Sequence, residues 1–377
     1  MRFIFPQDGD CINKNDGILT ADGIIIEARV EAPADADIYI GGEKARFSDG
    51  VWTAKVLISD YRSTLEAENR VNGEVQSIIL HKFADPVGKF RLSSDDNILF
   101  LQDITANKDK YTSIFDNPYL ALYKKAHDLF GVKVHLNLFY EYTPNEKYFS
   151  AHPDYFDLSM MTDKFRDEFR ANSDWLKLAF HSNAEFPDKP YKYATAEKIT
   201  EDYEKIRREI VRFAGESSMT SSTTVHWGAA NREVVGALHD LGLRSLTGYF
   251  RRNAKGEPSV SYYFEDERLE HIGSRDFWYD KEADIIFAQI DLVLNEKTYD
   301  DVMAALPKIA DDPQRGGFIS LMIHEQYFHP DYRRHLPDFE SRVLDACAFL
   351  ASRGYVGTHI SELIKKDEKY SRINVDR

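Results

Sequence analysis

In the stretch Ala179-Phe180-His181-Ser182-Asn183-Ala184-Glu185-Phe186, an imidazole and a carboxylate stand four positions apart, directly after the apolar run Trp175-Leu176-Lys177-Leu178. Imidazole nitrogen and carboxylate oxygen are what a borderline divalent cation takes at about 2.0–2.2 Å, from three or four side chains that converge. Asp103, after Leu99-Phe100-Leu101-Gln102, is a third donor of the right type. The expected metal ligands are therefore Asp103, His181 and Glu185, with zinc the foremost divalent ion. Each also has an ordinary reading: an Asp after a strand caps helices or turns, a lone His packs as a satisfied buried side chain, and a loop Glu is solvated. Other polar residues end apolar runs in the same way: Tyr140 and Glu141 after "HLNLF", His226 inside "TTVHW", Asp291 in "FAQIDLVL", and His324 and Glu325 after "FISLMI". Three of these runs carry His, a residue that makes up only 12 of 377 positions. Independent placement seldom does that, so the run ends are read as a functional rim.

A rim of this kind needs parallel strands whose C-terminal ends meet. After residue 95 the chain reads as strands alternating with helices. "NILFLQD", "VKVHLNLFYEY", "DWLKLAFH", "TTVHW", "ADIIFAQIDLVL", "GGFISLMIH" and "GYVGTH" are the expected strands. Helices are expected over "NPYLALYKKAHDLFG" with a stop at Gly131, near Thr162 to Ala171, from Ala196 to Phe213, over "NREVVGALHDLG", around Tyr299 to Ile309, and from about Pro337 to Ser352. In the third of these, Ile199, Tyr203, Ile206, Ile210 and Phe213 recur in steps of three and four and share one face. Roughly six or seven βα repeats result, enough to close or nearly close a barrel.

Residues 17 to 82 have another texture. Ile24 to Val30 and "ADIYIGG" read as strands, "ARFSDGVWTAKVLI" as a hairpin turning at Ser48-Asp49-Gly50, and "EVQSIILHKF" as a closing strand. Short strands without a helical period predict a small all-β sandwich of immunoglobulin size. Asp85-Pro86-Val87-Gly88 marks the boundary, which divides the chain into residues 1–88 and 89–377.

The whole chain carries 48 Lys and Arg against 63 Asp and Glu, a net charge of −15. That balance argues against nucleic acid and anionic membrane surfaces as partners. Cys11 and Cys347 form no ligand-like pair. The N-terminus turns polar before an apolar leader core forms, so a cytoplasmic protein is expected, although a mature secreted chain reads the same. Aromatic residues make up 13%, with 21 Tyr and 24 Phe, which suits the apolar faces of sugar rings as well as ordinary cores.

The segment "TTVHWGAANREVVGALHDLGLRSL" resembles the third motif region of the polysaccharide deacetylases, the NodB-like or carbohydrate esterase family 4 group. Trp227-Gly228, Asn231 and Leu241-Gly242 stand at its aromatic-Gly, Asn and Leu-Gly positions. "LFLQDIT" resembles the family's opening strand with its Asp pair, "FHSNAE" its His-Ser-x-x-His metal motif, "LMIHEQ" its late strand ending in His, and "RGYVGTHISELI" its usual ending. All lie in family order between about residues 96 and 365. The resemblance implies a distorted (β/α)7 barrel of NodB type in which a divalent ion binds water and an acyl carbonyl. Carried over residue by residue, Asp103 and His181 are metal ligands at the catalytic centre, His324 is the general acid, and Trp227 lines the sugar pocket.

The chain also departs from that pattern. Gln102 stands where the family has its base, Glu185 where it has its second metal His, Thr224 where it has an Arg that orients the base, and Val225-His226 where a proline pair is usual. A base must then come from Glu185, Glu141, Asp291 or Glu325, and His226 is available as a replacement ligand, an acid or a substrate contact. The loop "HEQYFHPDYRRH", with Tyr327, reads as a sugar-binding loop or as a packed one. The expected function is a divergent metal-dependent hydrolase that removes an acyl group from a carbohydrate. Glycosidic chemistry with Glu141 and Glu185 and non-catalytic glycan binding are the alternatives.

Overall fold

The computed structural model describes residues 1–83, 86–151 and 154–364. Asp85, the first residue of the expected boundary, lies outside the described residues. The chain forms two compact units. The smaller contains Met1–Val87, Phe277–Ile286 and the described residues from Glu362, and the larger contains Gly88–Asp276 and Phe287–Ser361.

In the smaller unit, Ile24–Glu31 and Val51–Ile58 alternate buried and exposed residues, as a strand with one wet face must. The hairpin from Arg46–Ser48 into Val51–Ile58 turns through Asp49 at φ 53° and Gly50 at φ 85°, with Ser48 opposite Val51. Two residues at positive φ give the turn whose twist matches that of its strands. One sheet runs in the order Arg2–Phe5, Ile24–Glu31, Val51–Ile58, Arg46–Ser48, with Gly17–Leu19 beside Ile24–Glu31. The other runs Cys11–Ile12, Glu74–Lys82, Arg62–Asn69, Ile38–Ile40, Glu43–Lys44. Ile26, Trp52, Val56, Leu65, Ile78 and Leu80 come from both sheets and share one buried core. Phe277–Asp280, which the sequence placed in the larger domain, belongs here, and the Trp278 indole donates to the Asp8 carbonyl at 3.0 Å.

The larger unit is mixed α/β. Its main sheet is parallel throughout, in the order Leu176–Ser182, Val134–Phe139, Lys89–Asn97, Phe318–His324, Leu292–Val293, with Val356–Gly357 pairing the start of Lys89–Asn97. Ser222–Thr223 and Ser245–Gly248 pair in parallel in a second, shorter sheet. Five helices lie close to where the sequence placed them: Pro118–Phe130, Ala196–Phe213, Arg232–Asp240, Tyr299–Ala310 and Phe339–Ser352. Asn117, Thr195, Asn231 and Thr298 cap the first four with side-chain oxygens. The helix expected near Thr162 is shorter, Arg166–Ala171. Among the described residues no helix is long and apolar enough to cross a membrane.

The strand expectation fails at one consequential place. "NILFLQD" is a helix, Leu99–Ala106, and the strand before it is Lys89–Asn97, KFRLSSDDN. A short apolar run has no period that separates a buried strand from a buried helix, whereas Ser-Ser-Asp-Asp-Asn reads as a loop. These polar residues are buried in the central strand because each finds a partner: Ser94 Oγ lies 2.6 Å from Tyr119 Oη, and Asn137 Nδ2 donates to Asp95 Oδ1 at 2.6 Å.

Candidate metal centre

Two irregularities in the central sheet aim the site. Between Lys89–Asn97 and Val134–Phe139 the register passes from Ser94 opposite Leu136 to Asn97 opposite Leu138, so Asp95 and Asp96 face a single partner residue. Between Val134–Phe139 and Leu176–Ser182 it passes from Leu138 opposite Phe180 to Phe139 opposite Ser182, which leaves His181 as the extra residue. A bulge breaks the alternation of a strand and re-aims its side chains. Here one bulge carries Asp96, at φ 61°, and the other carries His181. The third member, His226, starts a short turn in which Trp227 stands at φ 62°. Left-handed backbone at non-glycine residues costs stability and is retained where the surroundings impose it.

These bends bring three donors together. His181 Nε2 lies 3.0 Å from Asp96 Oδ1, His226 Nδ1 lies 3.4 Å from the same oxygen, and the two nitrogens are 3.1 Å apart. The side chains of His181, His226 and Asp96 are 2%, 5% and 8% exposed. Ligands about 2.0–2.1 Å from one cation stand about 2.9 Å apart at right angles and about 3.4 Å apart at tetrahedral angles. The observed triangle spans that interval.

The far nitrogens decide what the near ones present. His181 Nδ1 is 2.6 Å from the Thr224 carbonyl and His226 Nε2 is 3.1 Å from the Glu185 carbonyl. A carbonyl only accepts, so each far nitrogen carries the proton of a neutral ring and each near nitrogen turns a lone pair toward Asp96. Gln326 Nε2 donates to Asp96 Oδ2 at 2.7 Å and holds the carboxylate in place. Two bare nitrogens and an anionic oxygen within 3.4 Å repel one another unless a proton or a cation lies between them, so the donor set fits a divalent metal. Where a proton takes the cation's place on the near nitrogens, burial opposes charge on Asp96, but hydrogen bonds from His181 and His226 and the charge of His324 outweigh it and hold the carboxyl well below its ordinary range. Burial opposes charge on His181 too, yet the Asp96 hydrogen bond and the charges of Asp95 and Asp96 raise its pKa.

The expected ligand set is thus corrected. Asp103 lies in the helix Leu99–Ala106, where Asn107 Nδ2, Tyr111 Oη and Asn117 Nδ2 donate to its carboxylate at 2.9, 2.8 and 2.7 Å. Among the described residues the converging group is Asp96, His181 and His226. The Glu185 carboxyl is not a member of that group and lines the adjoining cavity. Burial and the nearby Asp96 charge push its pKa up to about 8, with His226 opposing.

The cavity of about 170 Å³ is bounded by Asp96, Glu141, Glu185 and Gln326 on its polar side and by rings that include Phe139, Tyr142 and Tyr332. Glu141 accepts from Asn183 Nδ2 at 2.9 Å and from Tyr155 Oη at 3.3 Å. His324 pairs through Nδ1 with Asn295 Oδ1 at 2.9 Å, so its Nε2 is the nitrogen left for proton exchange. Trp227 is 45% exposed and edge-on to His226, with ring centroids 5.9 Å apart. Tyr327 is buried between His324 and Tyr332.

Two rim expectations are overturned. The Glu325 carboxylate is fully buried and accepts the backbone N–H groups of Ile98, Leu99 and Phe100 at 2.6, 2.9 and 2.6 Å, which makes it the cap of the helix Leu99–Ala106. Asp291 accepts from the Ser320 N–H at 2.8 Å. Ser320 stands four residues before His324 in its strand, about 13 Å below the rim. Burial pushes the Asp291 carboxyl up to about 7.

No family model matches the chain, and no curated protein does. Similar solved structures include a peptidoglycan N-acetylglucosamine deacetylase in complex with a benzamide ligand, at 10% identity over 74% of this chain and 90% of that one, TM-score 0.37. They also include a 4-alpha-glucanotransferase from Thermococcus litoralis, at 11% identity over 75% of this chain and 41% of that one, TM-score 0.45. A mutant of a CE4 family pseudoenzyme is similar at 10% identity over 80% of this chain and 86% of that one, TM-score 0.33.

Proposed function

We propose that this chain is a metal-dependent hydrolase that removes an acyl group from a carbohydrate. The observation that carries the reading is the pair of imidazoles whose tautomers are fixed by the Thr224 and Glu185 carbonyls, so that both turn bare nitrogens toward Asp96. Asp96, His181 and His226 would hold the ion. A divalent cation bound there supplies Lewis acidity to a carbonyl and lowers the pKa of water.

The other groups are arranged for proton movement and binding. Glu185 lines the cavity beside Asp96, and a cation at Asp96 would offset the negative charge that helps raise its pKa, leaving its carboxylate placed to take a proton from water. The Asn295 contact fixes His324 Nδ1 and leaves Nε2 to protonate a leaving group. Asp95, buried and held by Asn137 Nδ2, adds negative charge behind His181. Aromatic rings and the Glu141 carboxylate in one cavity match a ring with apolar C–H faces and hydroxyl donors at its edge. The motif order from the Trp227-Gly228 region to the C-terminal "SEL" helix supports a deacetylase-like substrate.

Elemental analysis combined with acetate release from acetylated sugars tests the reading. Stoichiometric metal and acetate production, both lost in His181→Ala, are expected. A folded wild type that takes up no divalent metal refutes it.

A further inference from the structure

We infer that the cavity beside Asp96 admits a single sugar ring, so that the acyl group is taken from a monosaccharide or a chain end and not from the interior of a polymer. This rests on the function proposed above. An enzyme that works inside a polymer needs a groove open at both ends, whereas here two loops are sewn together along the cavity wall. Phe149 and Tyr332 face each other in an antiparallel bridge, with ring centroids 5.0 Å apart. The Arg333 N–H donates to the Tyr148 carbonyl at 2.9 Å and the Ser150 N–H to the Asp331 carbonyl at 3.1 Å. The Ala151 N–H adds a bond to the Asp331 carboxylate at 3.3 Å.

The third loop is tied into the same wall. Tyr148 meets Phe186 at 5.7 Å between centroids, and the Arg333 guanidinium lies 4.3 Å from the centre of the Tyr148 ring. Tyr142 meets Phe149 edge-on at 5.9 Å. Tyr142, Tyr148, Phe149, Phe186 and Tyr332 all line the cavity, so the residues that join the loops are those a ligand touches. The cavity is partly open to solvent, and its volume of about 170 Å³ falls below the roughly 300–1,000 Å³ of sites that bury drug-sized ligands. One ring with its acyl group is what such a space accommodates.

The experiment uses the full chain with an N-acetylated hexosamine and its linear pentamer. Binding is measured by calorimetry on metal-free protein, and acetate loss on zinc-loaded protein is mapped along the pentamer by mass spectrometry. Monomer and pentamer are expected to bind within about threefold of each other, with acetate lost from a terminal unit alone. Acetate loss from internal units, a pentamer bound more than about thirtyfold tighter, or no binding of either sugar overturns the inference. Equal binding without acetate from either sugar leaves the single-ring cavity standing and sinks the hydrolase reading. Arg333→Pro removes the N–H that meets Tyr148. In a folded variant, acetate loss from internal units is expected to appear and to reach at least about a tenth of the terminal loss, and an unchanged product pattern overturns the role given to the paired loops.

Discussion

His226→Ala separates a metal centre from a cluster of buried polar side chains. The wild-type protein offers a cation two nitrogens and an oxygen within 3.4 Å of one another. A ligand present at a hundred times its dissociation constant stabilises the folded state by about 2.7 kcal/mol. At about 2–4 °C per kcal/mol for a domain of this size, zinc is expected to raise the thermal midpoint by about 5–10 °C. Removing His226 leaves one imidazole and one carboxylate, and the zinc-induced rise is expected to shrink below about 2 °C. In metal-free protein the same change loses ring contacts to Phe139 and Trp227 and the bond to the Glu185 carbonyl, a cost of about 1–2 kcal/mol. The variant should therefore sit slightly below metal-free wild type and respond little to zinc. Protons compete for the same nitrogens, and His181 binds its proton more tightly than an ordinary imidazole. The zinc effect should then weaken as pH falls from about 7.5 to 5.5. Thermal scans with and without zinc, paired with elemental analysis of both proteins, make the measurement. A wild-type midpoint that ignores zinc, manganese, cobalt and nickel, or a variant that keeps the full rise, refutes the reasoning.

Other changes should divide cleanly between stability and function. Asp103→Asn is expected to leave metal content at the wild-type level, and loss of bound metal in a folded variant would restore it to the ligand set. Glu325→Gln weakens three buried charge-assisted bonds and should cost about 2–4 kcal/mol in urea unfolding. An unchanged midpoint would count against the capping role. His359 is buried, and its pKa is lowered by burial and by the charge of Lys133 to about 3. The unfolded chain therefore takes up its proton near pH 6.5 while the folded chain does not, so stability present at neutral pH is lost as pH falls from about 6.5 toward 3. His359→Gln should flatten the decline in urea midpoint across that window, and an identical slope in the two proteins would rule the residue out.

Much of the scaffold was legible because its residues carry local signals. Helix Pro118–Phe130 has Asn117 at its start, Pro118 in its first turn and Gly131 at φ 65° at its end, and each feature is written in the residue type. The hairpin at Asp49-Gly50 was legible for the same reason. The candidate metal cluster was half legible. His181 ends an apolar run, and His226 was recognisable as a substitute ligand from the departure at its motif position. Asp96 was missed because it belongs to a strand whose polar residues are paired through distant side chains such as Tyr119 and Asn137, and no local pattern reports such partners. The apolar helix beside it mimicked a strand, which shifted the expected Asp pair seven positions to Gln102-Asp103. Bulges are equally silent in a single sequence, yet the bulges at Asp95-Asp96 and His181 set the geometry. The roles expected of Glu325 and Asp291 failed because a strand end identifies a height in the sheet only when the strand's bounds are known.

The central strand Lys89–Asn97 has one neighbour about 40 residues away, Val134–Phe139, and another more than 200 residues away, Phe318–His324. During synthesis its second edge stays unpaired until most of the polypeptide has emerged, and Gln326, which steadies Asp96, arrives later still. Nascent chains stopped before that point present a bare parallel edge, so early termination should yield sticky, chaperone-dependent fragments and not a smaller working protein.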